Sequence, residues 1–257
     1  MQNIEDIPSR VDHERYYSAI GVADFIAAHH DEEGTYNVNE HWGPEGEIYR
    51  AICVWVLLDA YKFSDKPEYL DKSRIILERF RKRQRPSGGW TLSLGSDGLK
   101  FKVTDDERRD TETLEDPVIS GAVLKSIADY QLITGTKDFQ DMGNKAFDYL
   151  MDLWNSDIGT INEYRDRHLS ALRSNPDSYH FMILLGLNAW SDAGSSKAKE
   201  VLPQNIDFAR KTFDNFDDKT MPLMVGYYVA VLTKFCSLEY SKRYIKPKLD
   251  AYMKSGL

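Results

Sequence analysis

Two kinds of apolar segment alternate along the chain, and this alternation limits the possible folds more than any other feature of the sequence. Segments of the first kind carry apolar residues at helical spacing on one side and charged residues on the other, which predicts amphipathic outer helices. They are 66–83, 139–154 and 196–213. Segments of the second kind are apolar nearly all round, which predicts buried inner helices. They are 48–61, 118–133, 179–190 and 221–236.

A turn of constant spacing follows the outer segments and supplies an internal repeat. Its copies are His30-x-x-x-Gly34-x-Tyr36, Gln84-x-x-x-Gly88-x-Trp90 and Asn155-x-x-x-Gly159-x-Ile161. A helix commonly ends at a residue of positive φ, which glycine tolerates, and the apolar residue two positions later can fold back on the hairpin. We therefore expect one all-α domain over residues 1–257, an incomplete α/α toroid of about four inner/outer hairpins, with a possible small β-hairpin near 90–103.

Composition and charge exclude several classes of function. Hydrophobic residues make up 42% of the chain, enough for a sizeable core, and the net charge of −8 argues against a nucleic-acid-binding surface. No stretch approaches the roughly 20 apolar residues of a membrane span, and the first ten residues lack the pattern of a secretory signal. We expect a soluble chain, cytoplasmic rather than secreted, that acts on a small molecule or an oligosaccharide; its oligomeric state stays open.

The turn Gln84 to Trp90, which reads QRPSGGW, resembles the QW repeat of the squalene-cyclase and prenyltransferase group. This resemblance implies the α/α toroid fold. For a terpene cyclase of the protonating type it also implies a D-x-D-D motif. The nearest stretch here, Val103-Thr104-Asp105-Asp106, lacks the first carboxylate, so a terpenoid-cyclase-like enzyme using Asp105 is the second hypothesis.

Residues 29–190 resemble the helical domain of the D-glucuronyl C5-epimerases. The resemblance is carried by HDEEGTYNVNEHWGPEGE, by Glu-Asp-Pro before a helix, and by GTINEYRDRH followed by Ser-Tyr-His at an inner helix. It implies tyrosines and an arginine around a hexuronate, with a carboxylate nearby. The leading hypothesis is therefore an enzyme that removes the C5 proton of a uronate, as an epimerase or a polysaccharide lyase.

Removal of a proton beside a carboxylate needs a base, an acid and a charge stabiliser. We assign Arg165 to binding of the substrate carboxylate, Tyr164 or Tyr179 to proton transfer, and His168 or His180 to the role of alternative base. A salt-bridged loop around Arg165 and a partly buried Tyr179-His180 pair are the structural alternatives.

The substrate-binding candidates lie on three polar segments that should meet at one end of the fold, residues 37–47, 105–116 and 162–180. His41, Trp42 and Glu45 could stack on a sugar ring and hydrogen-bond to it. The remaining candidates are Tyr36, Trp90, Arg109 and Glu115. Glu115 and Asp116 also suit a helix N-terminus. No metal site or cofactor is predicted, and a toroid that binds a glycan or a protein without catalysis is the third hypothesis.

Overall fold

The structure, a computed structural model, describes residues 10–30, 47–91, 115–161, 180–216, 222–235 and 237–254. The described chain is all-α with one small β-hairpin, as predicted. Its elements in chain order are α1 (Arg10–His29), α2 (Glu47–Ser64), α3 (Pro67–Arg83), α4 (Pro117–Thr134), α5 (Gln140–Asp152), β1 (Trp154–Asn155), β2 (Thr160–Ile161), α6 (Phe181–Asp192), α7 (Ser196–Asp214), α8 (Pro222–Phe235), α9 (Leu238–Tyr240), a π-helical stretch (Ser241–Ile245) and α10 (Lys246–Lys254).

The helices form two layers, in the order expected for an incomplete α/α toroid. The apolar helices α2, α4, α6 and α8 contact one another in sequence and form the inner layer. The amphipathic helices α3, α5 and α7 each pack on the inner helix that precedes them. The C-terminal stretch 238–254 continues the outer layer, because Lys248 Nζ donates to the Phe213 carbonyl of α7 at 2.5 Å.

Helices α1 and α3 run in the same direction, as contacts at successive heights show. Between α1 and α3, Asp24 pairs with Lys66 at 2.8 Å and the His30 carbonyl accepts from Lys72 Nζ at 2.7 Å. The Asp24 carboxylate also accepts a 2.5 Å hydrogen bond from the buried Tyr69 hydroxyl. These contacts fix the register of α1 against α3.

The predicted glycine turns are confirmed where the structure describes them, and each turn also packs on the next hairpin. Gly88 and Gly159 have φ of 98° and 75°. A β-carbon on Gly88 would lie 2.7 Å from the Lys145 carbonyl carbon of α5, and one on Gly159 would lie 2.7 Å from the Gln204 carbonyl oxygen of α7. The Gln84 side chain strengthens the first of these contacts, since Nε2 donates to the Gly88 and Met142 carbonyls at 2.9 and 3.0 Å.

The observed hairpin lies in the second of these turns. Trp154 pairs with Ile161 and Asn155 with Thr160, so β1 and β2 bracket Gly159. Of the hairpin predicted near 90–103, only Trp90 and Thr91 fall within the described residues, and Thr91 forms an isolated antiparallel bridge with Glu115. The rest of that prediction lies outside the described residues.

Candidate functional site

The N-termini of the inner helices lie at the end of the fold where the outer helices finish. An ion pair joins Arg83, the last residue of α3, to Glu47, the first residue of α2, so these helices run antiparallel. The α6/α7 hairpin shows the same arrangement, because His180 packs on Phe208 while the Trp190 carbonyl accepts from Ser195 N. The chain therefore enters the helices α2, α4 and α6 at one end of the molecule. The segments that precede these helices in the sequence are 31–46, 92–114 and 162–179.

The first turn of α2 carries a buried ionic cluster. Glu47 is 1% exposed, and its two carboxylate oxygens lie 2.9 Å from Arg83 Nε and 3.2 Å from Arg50 Nη1. Arg50 is also buried, whereas the Arg83 side chain is 38% exposed. Buried charges of this kind are costly unless they are paired, so the cluster fixes Glu47 and Arg50 in place and leaves Arg83 at the surface of this end. The exposed ring of Tyr49 lies between them in sequence.

The start of α4 is held by Asp116, as its position before Pro117 predicts. The Asp116 side chain is buried and accepts a 2.8 Å hydrogen bond from Val118 N, which caps the helix. Its backbone N–H donates to the Trp90 carbonyl at 2.8 Å. Asp116 is thus a structural residue that joins the start of an inner helix to the glycine turn of the hairpin before it.

Glu115 and Trp90, two predicted substrate-binding residues, contact this same turn. Glu115 is half-buried, and its carboxylate accepts a 2.6 Å hydrogen bond from the Ser87 hydroxyl. Trp90 is 1% exposed, packs edge-on against Phe80 at 6.0 Å and donates its indole N–H to the Phe80 carbonyl at 2.8 Å. The contacts of Trp90 are those of a core residue.

His180 is buried at the start of α6. Its ring lies 5.2 Å from the ring of Phe208, and its backbone carbonyl accepts from the N–H groups of Ile183 and Leu184 at 3.0 and 3.2 Å. Of the residues proposed for catalysis, this is the one that the structure describes. Tyr164, Arg165, His168 and Tyr179 lie outside the described residues, as do Tyr36, His41, Trp42, Glu45 and Arg109.

The starts of α4 and α6 are brought together by two glycines. A β-carbon on Gly121 would lie 2.8 Å from the Ile183 α-carbon, and one on Gly186 would overlap the Gly121 carbonyl oxygen. The two backbones therefore touch about five residues, or roughly 7 Å, beyond Asp116 and three to six residues beyond His180. This close crossing places Asp116 and His180 at adjacent helix starts.

The buried cluster of Glu47 and Arg50 was not among the residues singled out in the sequence. A signal for it exists, since an acidic residue at the start of a helix followed three residues later by arginine forms a pair on one helix face. Glu47 stands just before the segment 48–61 and Arg50 stands within it. Because this segment is apolar nearly all round, its pattern predicts a buried helix and does not reveal the pair.

Comparison with known protein families, with curated proteins and with solved structures finds no match to this chain. Within the described ranges, no helix is long and apolar enough to cross a membrane. The same residues contain no group of three or more His, Cys, Asp or Glu side chains arranged to hold a metal ion.

Proposed function

We propose that this protein is a carbohydrate-active enzyme that binds a uronate-containing glycan at the N-terminal ends of the inner helices and removes the C5 proton. The observation that carries the proposal is that the starts of α2, α4 and α6 lie at one end of the fold, where Glu47, Arg50 and His180 are held and Arg83, the last residue of α3, pairs with Glu47. Helix N-termini carry partial positive charge, and arginine pairs with carboxylates, so both features favour an anionic sugar.

The groups for the proposed reaction come from the segment 162–179 and from His180 at the start of α6. Arg165 would hold the substrate carboxylate, which becomes more electron-rich as the C5 proton leaves. Tyr164 or Tyr179 would transfer the proton, with His168 or His180 as the alternative base. In epimerisation a proton returns to the opposite face of C5, whereas in elimination the C4–O bond breaks and a C4–C5 double bond remains.

The burial of His180 favours a positioning role for this residue over direct proton transfer. Its ring packs on Phe208 at the start of α6, one residue after Tyr179 in the sequence. A ring held in this way can position the neighbouring residues of the 162–179 segment, while tyrosine supplies the proton. We therefore assign proton transfer to a tyrosine and positioning to His180.

The test is activity on a panel of uronic-acid polymers in deuterium oxide. Solvent deuterium entering C5 reports epimerisation, and ultraviolet absorbance of an unsaturated product reports elimination. Arg165→Ala should lower the rate about 100-fold, since it removes the charge stabiliser. The control is Arg243→Ala, an exposed arginine of the C-terminal π-helical stretch, which should leave the rate unchanged. Absence of both signals in the wild-type protein across the panel would refute the proposal.

A further inference from the structure

The inner layer contains a second polar cluster, remote from the helix starts. Lys125 and Asp129 form an ion pair one turn apart on α4, and the Lys125 ammonium lies 5.0 Å from the centre of the Trp55 ring of α2. The two charged side chains are only 18% and 16% exposed. Lys125 is eight residues beyond Pro117, or about 12 Å along the helix from its start.

Helix stability does not account for this pair. A lysine that precedes its acidic partner by four residues is in the less favourable order for an ion pair on a helix. Partial burial of both charges costs desolvation free energy, a cost that an exposed pair largely avoids. The chain also contains an exposed pair of the same order, Lys246 and Asp250, at 67% and 51% exposure. The inner pair therefore differs from the outer pair in burial and surroundings and not in helix geometry.

The surroundings of Lys125 hold it in a fixed position. The Trp55 indole N–H donates to Ser126 Oγ at 2.9 Å and to the Ala122 carbonyl at 3.2 Å, which fixes the ring beneath the ammonium. Ser126 Oγ in turn lies 3.2 Å from the Ala51 carbonyl across the α2/α4 contact. A supported arrangement of this kind is typical of preorganised binding groups.

The cluster lies on the partly exposed face of α4. Between Val118 and Gln131 of α4, every residue except Lys125 and Asp129 is buried. On the other inner helices, Ile52, Trp55 and Val56 of α2 and Leu185 of α6 are also only partly buried, and Leu132 of α4, one turn beyond Asp129, is 53% exposed. This face thus combines a fixed donor, a fixed acceptor and apolar side chains.

We propose that Lys125 and Asp129 form a sugar subsite that binds two adjacent hydroxyl groups of a hexose unit. The ammonium donates to one hydroxyl oxygen and the carboxylate accepts from the other hydroxyl, while the apolar neighbours contact the C–H face of the ring. The opposite charges of the pair largely cancel, which suits neutral hydroxyl groups better than a carboxylate. The subsite rests on the proposed function, because it would hold another sugar of the same glycan, at a distance from the unit that reacts.

The experiment compares the binding of tetragalacturonate and galacturonate by calorimetry. The tetrasaccharide can occupy the helix starts and the subsite together, whereas the monosaccharide can occupy only one of them at a time, so tetrasaccharide binding should depend on the subsite more strongly. Lys125→Met and Asp129→Asn should each weaken tetrasaccharide binding about tenfold. Lys125→Arg, which keeps the donor and the contact with Trp55, should bind as wild type does. The matched control is Lys246→Met in the exposed pair, which should have no effect.

The outcomes separate the subsite from the proposed reaction. Tetrasaccharide binding that falls in Lys125→Met, without deuterium entering C5 of any polymer, supports the subsite and refutes the reaction. Deuterium exchange with equal tetrasaccharide affinity in wild type and Lys125→Met overturns the subsite and leaves the reaction standing. No tetrasaccharide binding by the wild-type protein also overturns the subsite. Thermal unfolding of each variant shows that it is folded, and Lys125→Arg provides a second folded comparison.

Discussion

Glu47 Oε1 and Arg83 Nε form an ion pair at 2.9 Å that joins the first residue of one helix to the last residue of the next. The pair closes the α2/α3 hairpin at the end opposite its short connection. Glu47 also compensates the buried Arg50, so a single carboxylate serves one exposed and one buried guanidinium.

Glu47→Gln should therefore destabilise the protein by about 3 kcal/mol, because it leaves the Arg50 charge buried without its carboxylate. Arg83→Gln should cost about 1 kcal/mol or less, since Arg83 is partly exposed to solvent. Urea unfolding at neutral pH measures both values. Equal losses for the two variants would contradict this account of the cluster.

Gly88→Ala should cost about 3 kcal/mol for two separate reasons. Alanine is strained at a φ of 98°, and its β-carbon would meet the Lys145 carbonyl of α5. The control is Gly194→Ala, at a φ of 105° with no atom within 4 Å of the added carbon, which should cost only the backbone strain of about 1 kcal/mol. The difference between the two free energies of unfolding measures the contact between hairpins.

Trp90→Phe should destabilise the protein by about 2 kcal/mol, since it removes the indole that donates to the buried Phe80 carbonyl and fills the core. Trp154, which is only partly buried, provides the comparison, and Trp154→Phe should cost less than about 1 kcal/mol. Urea unfolding followed by circular dichroism measures both losses. A direct role of Trp90 in ligand binding would instead lower tetragalacturonate affinity without a loss of stability.

The contact between α1 and α3 should depend on pH. A hydrogen bond from Lys66 lowers the pKa of Asp24, and the Tyr69 hydroxyl adds a second one. A carboxylate with a lowered pKa in the folded state stabilises the fold above its unfolded pKa, and this contribution disappears as the pH falls through the folded value. Asp24→Asn should therefore be less stable than wild type at pH 6, and the difference should shrink below about pH 4.

Urea unfolding at a series of pH values between 3 and 7 gives the two stability curves. Asp59→Asn is the control, because Asp59 pairs with Lys62 within a single helix and is similarly exposed. The Asp59→Asn curve should run close to that of wild type. A constant difference between Asp24→Asn and wild type across this range would contradict the proposed role of the Asp24 charge.

The sequence predicted the helices well because a helix buried on one side and a helix buried nearly all round leave different patterns of apolar residues. The segment predicted over 66–83 is the helix Pro67–Arg83, and the segment over 118–133 is Pro117–Thr134. The strands β1 and β2 escaped prediction because two residues are too few to show a period. The glycine turn between them was found, since it depends on one residue of special backbone freedom.

The two polar clusters of the inner layer were less predictable, because their residues come from positions that a pattern assigns to the core. Segment 118–133 reads as apolar nearly all round, yet it contains Asp129 and Lys125, and Trp55, the aromatic partner of Lys125, lies 70 residues earlier. Only the packing of α2 on α4 brings these three side chains together. The sequence does contain the motif of Tyr164 and Arg165, and its role in catalysis stays a prediction.

The contact of each glycine turn with the following hairpin gives the protein a direction of assembly. The turn at Gly88 meets α5 at Lys145, and the turn at Gly159 meets α7 at Gln204. A nascent chain that has reached residue 140 can form the α2/α3 hairpin but cannot yet provide the carbonyl on which its turn rests. Each hairpin is thus completed by its successor, and a ribosome that stalls between hairpins leaves the last one made without its outer support.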